Sequence, residues 1–163
     1  MYIEDFLKQY KDYKIRLFVD MDGVIADYDV GNPKNYDKKR PLISSIEKLK
    51  EISKMDNIEL YILSVSRMNE GVEQKNLWLD KYAPFFKKEN RIIISREANE
   101  FINTSTIKER YITDLERDDS KIIVIDDDPK ILKEIMNNNN DVILLKDTVL
   151  VDWKFDILWK NIV

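Results

Sequence analysis

The sequence contains no cysteine and no histidine. Without cysteine there is no disulfide framework, thiolate metal site or thiol nucleophile. Without histidine, Ser-His-Asp and Cys-His catalysis, histidine-ligated zinc and imidazole general bases are excluded as well. Chemistry in this chain has to be run by carboxylates, Lys, Arg, Ser, Thr or Tyr. No signal peptide and no run of about 20 apolar residues is present, which predicts a cytoplasmic protein. The net charge of −4 argues against a general nucleic-acid binder while leaving room for a local basic pocket. With 163 residues, 44% of them hydrophobic and 36% charged, the chain reads as a single globular domain over 1–163 with a heavily charged surface.

The most informative stretch runs from Arg16 to Asp27. Ile15, Leu17, Phe18 and Val19 suit a strand buried on both faces, as in a parallel sheet. Asp20 stands at its carboxyl end, where open α/β sheets place their ligands. Strand alternation puts Asp20 and Asp22 on one side, and Gly23 lets the backbone turn sharply to present both. Taken alone, Asp-Gly fits a strand-ending turn equally well. The run Asp126-Asp127-Asp128 supplies a second acidic strand end, and clustered carboxylates repel unless a cation joins them. Two such ends in one chain point to a shared site.

The remaining elements alternate. Ile3, Phe6, Leu7 and Tyr10 predict a short amphipathic helix within residues 2–11. Tyr28 to Tyr36 reads as an irregular loop or small hairpin. Pro41 opens a helix carrying Leu42, Ile46, Leu49 and Ile52, with Ser44 and Glu47 as capping partners. Strands follow at Glu59–Ser64, Arg91–Ser95, Lys121–Asp126 and Val142–Leu145. Between them the spacing predicts a helix over Glu70–Tyr82 with Val72, Trp78 and Leu79 inward, and one capped by Thr104 or Ser105 that runs through Ile107, Tyr111 and Leu115. A third starts at Asp128-Pro129 and carries Ile131, Leu132, Ile135 and Met136. Asn137 to Asn140 reads as a surface turn, and the tail with Trp153, Phe155, Leu158 and Trp159 as a segment packed back on the domain. Strands joined by short helical connections imply a doubly wound α/β sheet with right-handed crossovers.

Asp20-Met21-Asp22-Gly23-Val24 after an apolar strand, Ser64 at the next strand's end, a downstream lysine and Asp126-Asp127 occur in the order of the haloacid dehalogenase-like (HAD) phosphatase superfamily, which this chain resembles from about Arg16 to Leu145. The helix around Lys75, with Trp78 and Lys81-Tyr82, is similar to that of the 5′(3′)-deoxyribonucleotidase branch. The resemblance implies a HAD-like Rossmannoid three-layer sandwich with a mainly parallel five-stranded sheet. It also implies a nucleophile at Asp20, a general acid and base at Asp22, and a phosphate pocket from Ser64, the Val65 amide and Lys75. Lys108 is the rival for the lysine role, and the lysine not used is expected on the surface. Mg²⁺ is implied on Asp20, the Asp22 carbonyl, Asp126 and Asp127, and a raised pKa is expected at Asp22 from its carboxylate neighbours.

The resemblance therefore implies a Mg²⁺-dependent phosphomonoester hydrolase with an aspartyl-phosphate intermediate, acting on a small substrate such as a nucleoside monophosphate. One departure stands out. Deoxyribonucleotidases carry a helical cap after the first motif, whereas here the interval from Asp27 to Glu59 also has to hold a core helix, so the cap must be minimal or missing. Residues 28–40 or 96–106 are the candidates for a lid. The alternatives are a capless phosphatase acting on a protein, a nucleic-acid end or a sugar phosphate, and an inactive HAD-fold binding protein. A signalling receiver domain fits less well, because its acidic pair belongs to the first strand and it has no counterpart to residues 126–128.

Overall fold

In the computed structural model, which describes residues 2–28 and 35–150, the five apolar runs form one fully parallel sheet. Its strands are β1 (Ile15–Val19), β2 (Ile58–Ser66), β3 (Arg91–Ser95), β4 (Lys121–Asp126) and β5 (Ile143–Lys146), in the order β3-β2-β1-β4-β5. β1 is central: Val19 stands opposite Ile62 of β2 and Ile125 of β4, and the ladder runs one residue further as the Asp20 amide donates to the Ile125 carbonyl at 3.0 Å. Asp20 and Asp126 are thereby set side by side at the sheet's carboxyl edge. The predicted tail from residue 151 and the loop at 29–34 lie outside the described residues.

Alternation along the strands assigns side chains to two faces. Leu17, Val19, Leu60, Ile62, Ile123 and Ile125 pack against α1 (Ile3–Lys8), α2 (Ile43–Ile52) and α3 (Asn69–Tyr82). Phe18, Leu63, Ile122 and Val124 pack against α4 (Thr104–Asp114) and α5 (Pro129–Asn138). Helices cover both faces, which is why the strand sequences are almost wholly apolar. Phe18 stacks on Tyr61 with ring centroids 4.7 Å apart, and the Trp78 indole N–H donates to the Lys39 carbonyl at 3.0 Å, so burying that indole leaves no donor unpaired.

Several local expectations change. The helices at residues 43 and 104 begin without a side-chain cap, so Ser44, Glu47, Thr104 and Ser105 do not have the capping role; Asp128 does, accepting from the Lys130 amide at 2.8 Å. Met136, expected on the apolar face of α5, is exposed. Asn139, expected in a surface turn, is buried: its amide donates to the Ile135 carbonyl and Thr113 hydroxyl, and its oxygen accepts from Arg117. A polar tract read by composition alone hides a residue whose side chain ties the end of α5 to Thr113 of α4 and to Arg117 just beyond it.

Candidate active site

The strand parity that sorts the core also sorts the site. Asp20 follows Phe18 by two and Asp126 follows Val124 by two, so both carboxylates point to the α4 side. Ser64 follows Ile62 by two and points to the α3 side. Each face then receives a lysine from its own helix. Lys108, on the buried stripe of α4 with Ile112, bridges Asp20 and Asp126 at 2.8 and 2.7 Å. Lys75, three and four residues before Trp78 and Leu79 on the buried stripe of α3, donates to the Ser64 hydroxyl at 2.7 Å, the Val65 carbonyl at 2.9 Å and Asp22 at 2.8 Å. Both lysines therefore reach the acidic cluster. Both are buried in the site, and the expectation that one of them lies on the surface is corrected.

β2 runs two residues beyond Ser64, to Ser66, so Ser64 sits within the strand rather than at its end. Val65 pairs in register with Ile94 of β3, and its observed site contact is its carbonyl, which holds Lys75.

Between Met21 and Ala26 the chain makes a tight turn in which the Met21 carbonyl accepts from the amides of Val24, Ile25 and Ala26. Gly23 takes φ +80°, and a Cβ there would stand 2.1 Å from an Asp127 oxygen. Glycine is needed twice over, for the left-handed backbone and for the approach of Asp127. Gly23→Ala is expected to cost about 1–3 kcal/mol in urea unfolding and to displace the Asp127 carboxylate; unchanged stability would contradict this account of the turn.

Asp22 differs from the expectation in its charge state. Burial opposes its charge, but Lys75 and Lys39 outweigh burial and hold its pKa down to about 2. The anticipated upward shift is absent because lysines, and not carboxylates, are its close partners. Burial pushes Asp20 the other way, to about 7, with Lys108 opposing and Asp126 adding to the rise. Asp127 is raised to about 6 by burial and by Asp126. Burial alone would lower Lys108, but Asp20 and Asp126 keep it above the ordinary lysine range. Burial outweighs Asp22 at Lys75 and leaves its pKa lowered.

Carboxylate oxygens of Asp20, Asp126 and Asp127 all lie within 4.8 Å of one another. An all-oxygen donor set of this kind suits a hard divalent cation such as Mg²⁺, and the Asp127 carboxylate is admitted to it by the missing Cβ of Gly23. The residues therefore fit the metal implied by their order in the sequence.

Lys39 has no counterpart in the sequence reading. Its ammonium meets the second Asp22 oxygen at 2.5 Å, and it lies 4.6 Å from the centroid of the Tyr36 ring. The only trace in the sequence is the basic run Lys38-Lys39-Arg40 shortly after the first motif. Of the two lid candidates, the described part of 28–40 holds the 3-10 turn Tyr36–Lys38 against α3. Residues 96–103 form a tied connection into α4: the Arg96 guanidinium donates to the carbonyls of Phe101 and Ile102, both at 2.8 Å, and the Arg96 amide to that of Ser66. No helical cap is inserted among the described residues.

This sheet order, with acidic strand ends at its carboxyl edge, defines a HAD-like α/β fold. A chain of the Pnkp1/Rnl/Hen1 RNA repair complex shares it with a TM-score of 0.64 at 16% identity, over 83% of this chain and 42% of that one, so the present chain spans about two-fifths of that relative. The D,D-heptose 1,7-bisphosphate phosphatase of B. bronchiseptica, solved with magnesium and phosphate, shares it with a TM-score of 0.51 at 14% identity, over 90% and 99% of the two chains. No family model matches the sequence, and no curated protein is significantly similar to it. No helix among the described residues is long and apolar enough to cross a membrane.

Proposed function

We propose that this chain is a Mg²⁺-dependent phosphomonoester hydrolase that works through an aspartyl-phosphate on Asp20. The observation that carries the reading is the convergence of Asp20, Asp22, Ser64, Lys75, Lys108 and Asp126 at one sheet edge. An Asp20 oxygen attacks phosphorus as the bond to the leaving oxygen breaks; Asp22, ionised while both lysines hold it, takes up a proton from solvent as the phosphoryl group draws Lys75 away, and delivers that proton to the leaving oxygen. Water then attacks the aspartyl-phosphate, Asp22 takes its proton, and the Asp20–phosphorus bond breaks to release phosphate. Ser64 and Lys75 hold the phosphoryl oxygens, and Lys108 offsets the charges of Asp20 and Asp126. Asp20, Asp126 and Asp127, with the Asp22 carbonyl, would hold a divalent cation, which when bound would supply further positive charge for the phosphoryl oxygens.

A nucleoside monophosphate is the substrate favoured by the likeness of the Lys75 helix to that of deoxyribonucleotidases. The absence of an inserted cap among the described residues, together with the likeness to a chain of an RNA repair complex, supports a second reading, a phosphate at a nucleic-acid end. The test is p-nitrophenyl phosphate hydrolysis by purified protein in Mg²⁺ and after chelation. Turnover is expected in Mg²⁺, loss with EDTA, and recovery on adding the metal back. Nucleoside monophosphates, end-phosphorylated oligonucleotides and sugar phosphates then rank the substrates. Turnover indifferent to the metal, or none from folded protein on any member of the panel, would overturn the reading.

A further inference from the structure

The chain leaves the site after Asp27 and comes back to it. Ala26 bridges antiparallel to Pro41, the Asp27 amide donates to the Arg40 carbonyl at 2.8 Å, and the Leu42 amide to the Ile25 carbonyl at 2.8 Å. This return places Lys39 beside Asp22, and the Trp78 indole fixes the Lys39 backbone from α3. Asp22 is consequently held at both oxygens, Oδ1 by Lys39 and Oδ2 by Lys75.

The two contacts are not equivalent. Lys75 is also bonded to the Ser64 hydroxyl and the Val65 carbonyl, where the phosphoryl group is to sit, so anionic phosphoryl oxygens compete for its ammonium. Lys39 has Asp22 and the Tyr36 ring as its partners, and its side chain is 10% exposed. The Tyr36 ring lies 4.6 and 5.0 Å from the two ammonium groups, and its buried hydroxyl has no hydrogen-bond partner within 3.5 Å among the described residues.

We propose that Lys39 is a positioning residue: it fixes Asp22 through Oδ1, so that Oδ2, released when Lys75 turns to the phosphoryl group, is the oxygen that carries the proton to the leaving group and takes it back from water. This rests on the phosphatase reading. The atoms balance as in the two steps above, with the proton on Oδ2 consumed when the leaving oxygen departs and restored when water attacks.

The test compares a substrate whose leaving group departs without a proton with one whose leaving group needs it. In Lys39→Met, which keeps the stem against Tyr36, kcat/KM, which reports the first step alone, is expected to fall by about 10- to 100-fold on an alkyl phosphate and by less than about 3-fold on p-nitrophenyl phosphate. Inhibition by inorganic phosphate stays at the wild-type level, since Ser64 and Lys75 are untouched. Lys39→Arg, which keeps the cation, recovers a large part of the alkyl phosphate activity. Equal losses on both substrates, or no loss on either, in protein with wild-type circular dichroism overturn the role of Lys39 and leave the phosphatase reading standing. If Lys39→Met does not fold, Lys39→Arg and Lys39→Gln decide by the same ratio. A wild type that turns over neither substrate overturns both.

Discussion

Asp20→Asn is expected to fold normally and to lose phosphatase activity by on the order of 10³-fold or more, the scale on which removal of a nucleophile acts in covalent catalysis. The amide has the shape of the carboxylate and can still accept from Lys108, which also retains Asp126 at 2.7 Å. Burial opposes charge at Asp20, so the neutral side chain is not a thermodynamic burden, and a melting temperature at or above that of the wild type is expected. Covalent labelling gives a second readout. Wild type quenched during turnover of a ³²P-labelled substrate carries acid-stable, base-labile label, and Asp20→Asn carries none. Retention of more than about a tenth of wild-type turnover would move the nucleophile elsewhere.

The second large effect is at Lys108. Its ammonium is the nearest cation to two buried carboxylates, and Asp126 Oδ2 has it as a hydrogen-bond partner while Oδ1 accepts from the Asp128 amide. Lys108→Met keeps the volume and removes the charge, leaving Asp20 and Asp126 facing each other. Breaking a buried pair from one side costs about 3–5 kcal/mol, because an uncompensated charge stays behind. Urea unfolding in EDTA should register that loss, with catalysis falling alongside it. Mg²⁺ should raise the melting temperature of the variant more than that of the wild type, because a second cation then occupies the same carboxylates. A variant as stable as the wild type in EDTA would mean that the lysine bridge does not hold the two strand ends together.

Most of the fold could be read from the chain. The limits of β3 and β4 match the expected Arg91–Ser95 and Lys121–Asp126, since apolar runs bounded by charge and turn residues specify buried parallel strands directly. Helix starts were less legible: α2 and α4 begin without side-chain caps, so capping residues in the sequence pointed to bonds that are not made. The acidic half of the site, Asp20, Asp22, Asp126 and Asp127, was visible because each pair ends an apolar strand. The basic half was visible in part: Lys75 and Lys108 were both candidates, and Lys39 was missed. The sequence reading expected one of Lys75 and Lys108 on the surface, but α3 and α4 cover opposite faces of the sheet and each delivers a buried lysine to the cluster.

Sequence alone excluded thiol and imidazole chemistry, through the missing cysteine and histidine, and implied a parallel sheet, through apolar strands alternating with helices. Both are properties of composition or of neighbours along the chain. Tertiary structure decided the charge state of Asp22 and the part played by Lys39. Those depend on ammonium groups brought from α3 and from the return of the chain at Pro41 to within hydrogen-bond distance of one carboxylate. Electrostatic interaction falls off with distance in space and takes no account of separation in sequence, so the groups that set a site's charge are the last to be legible in the chain.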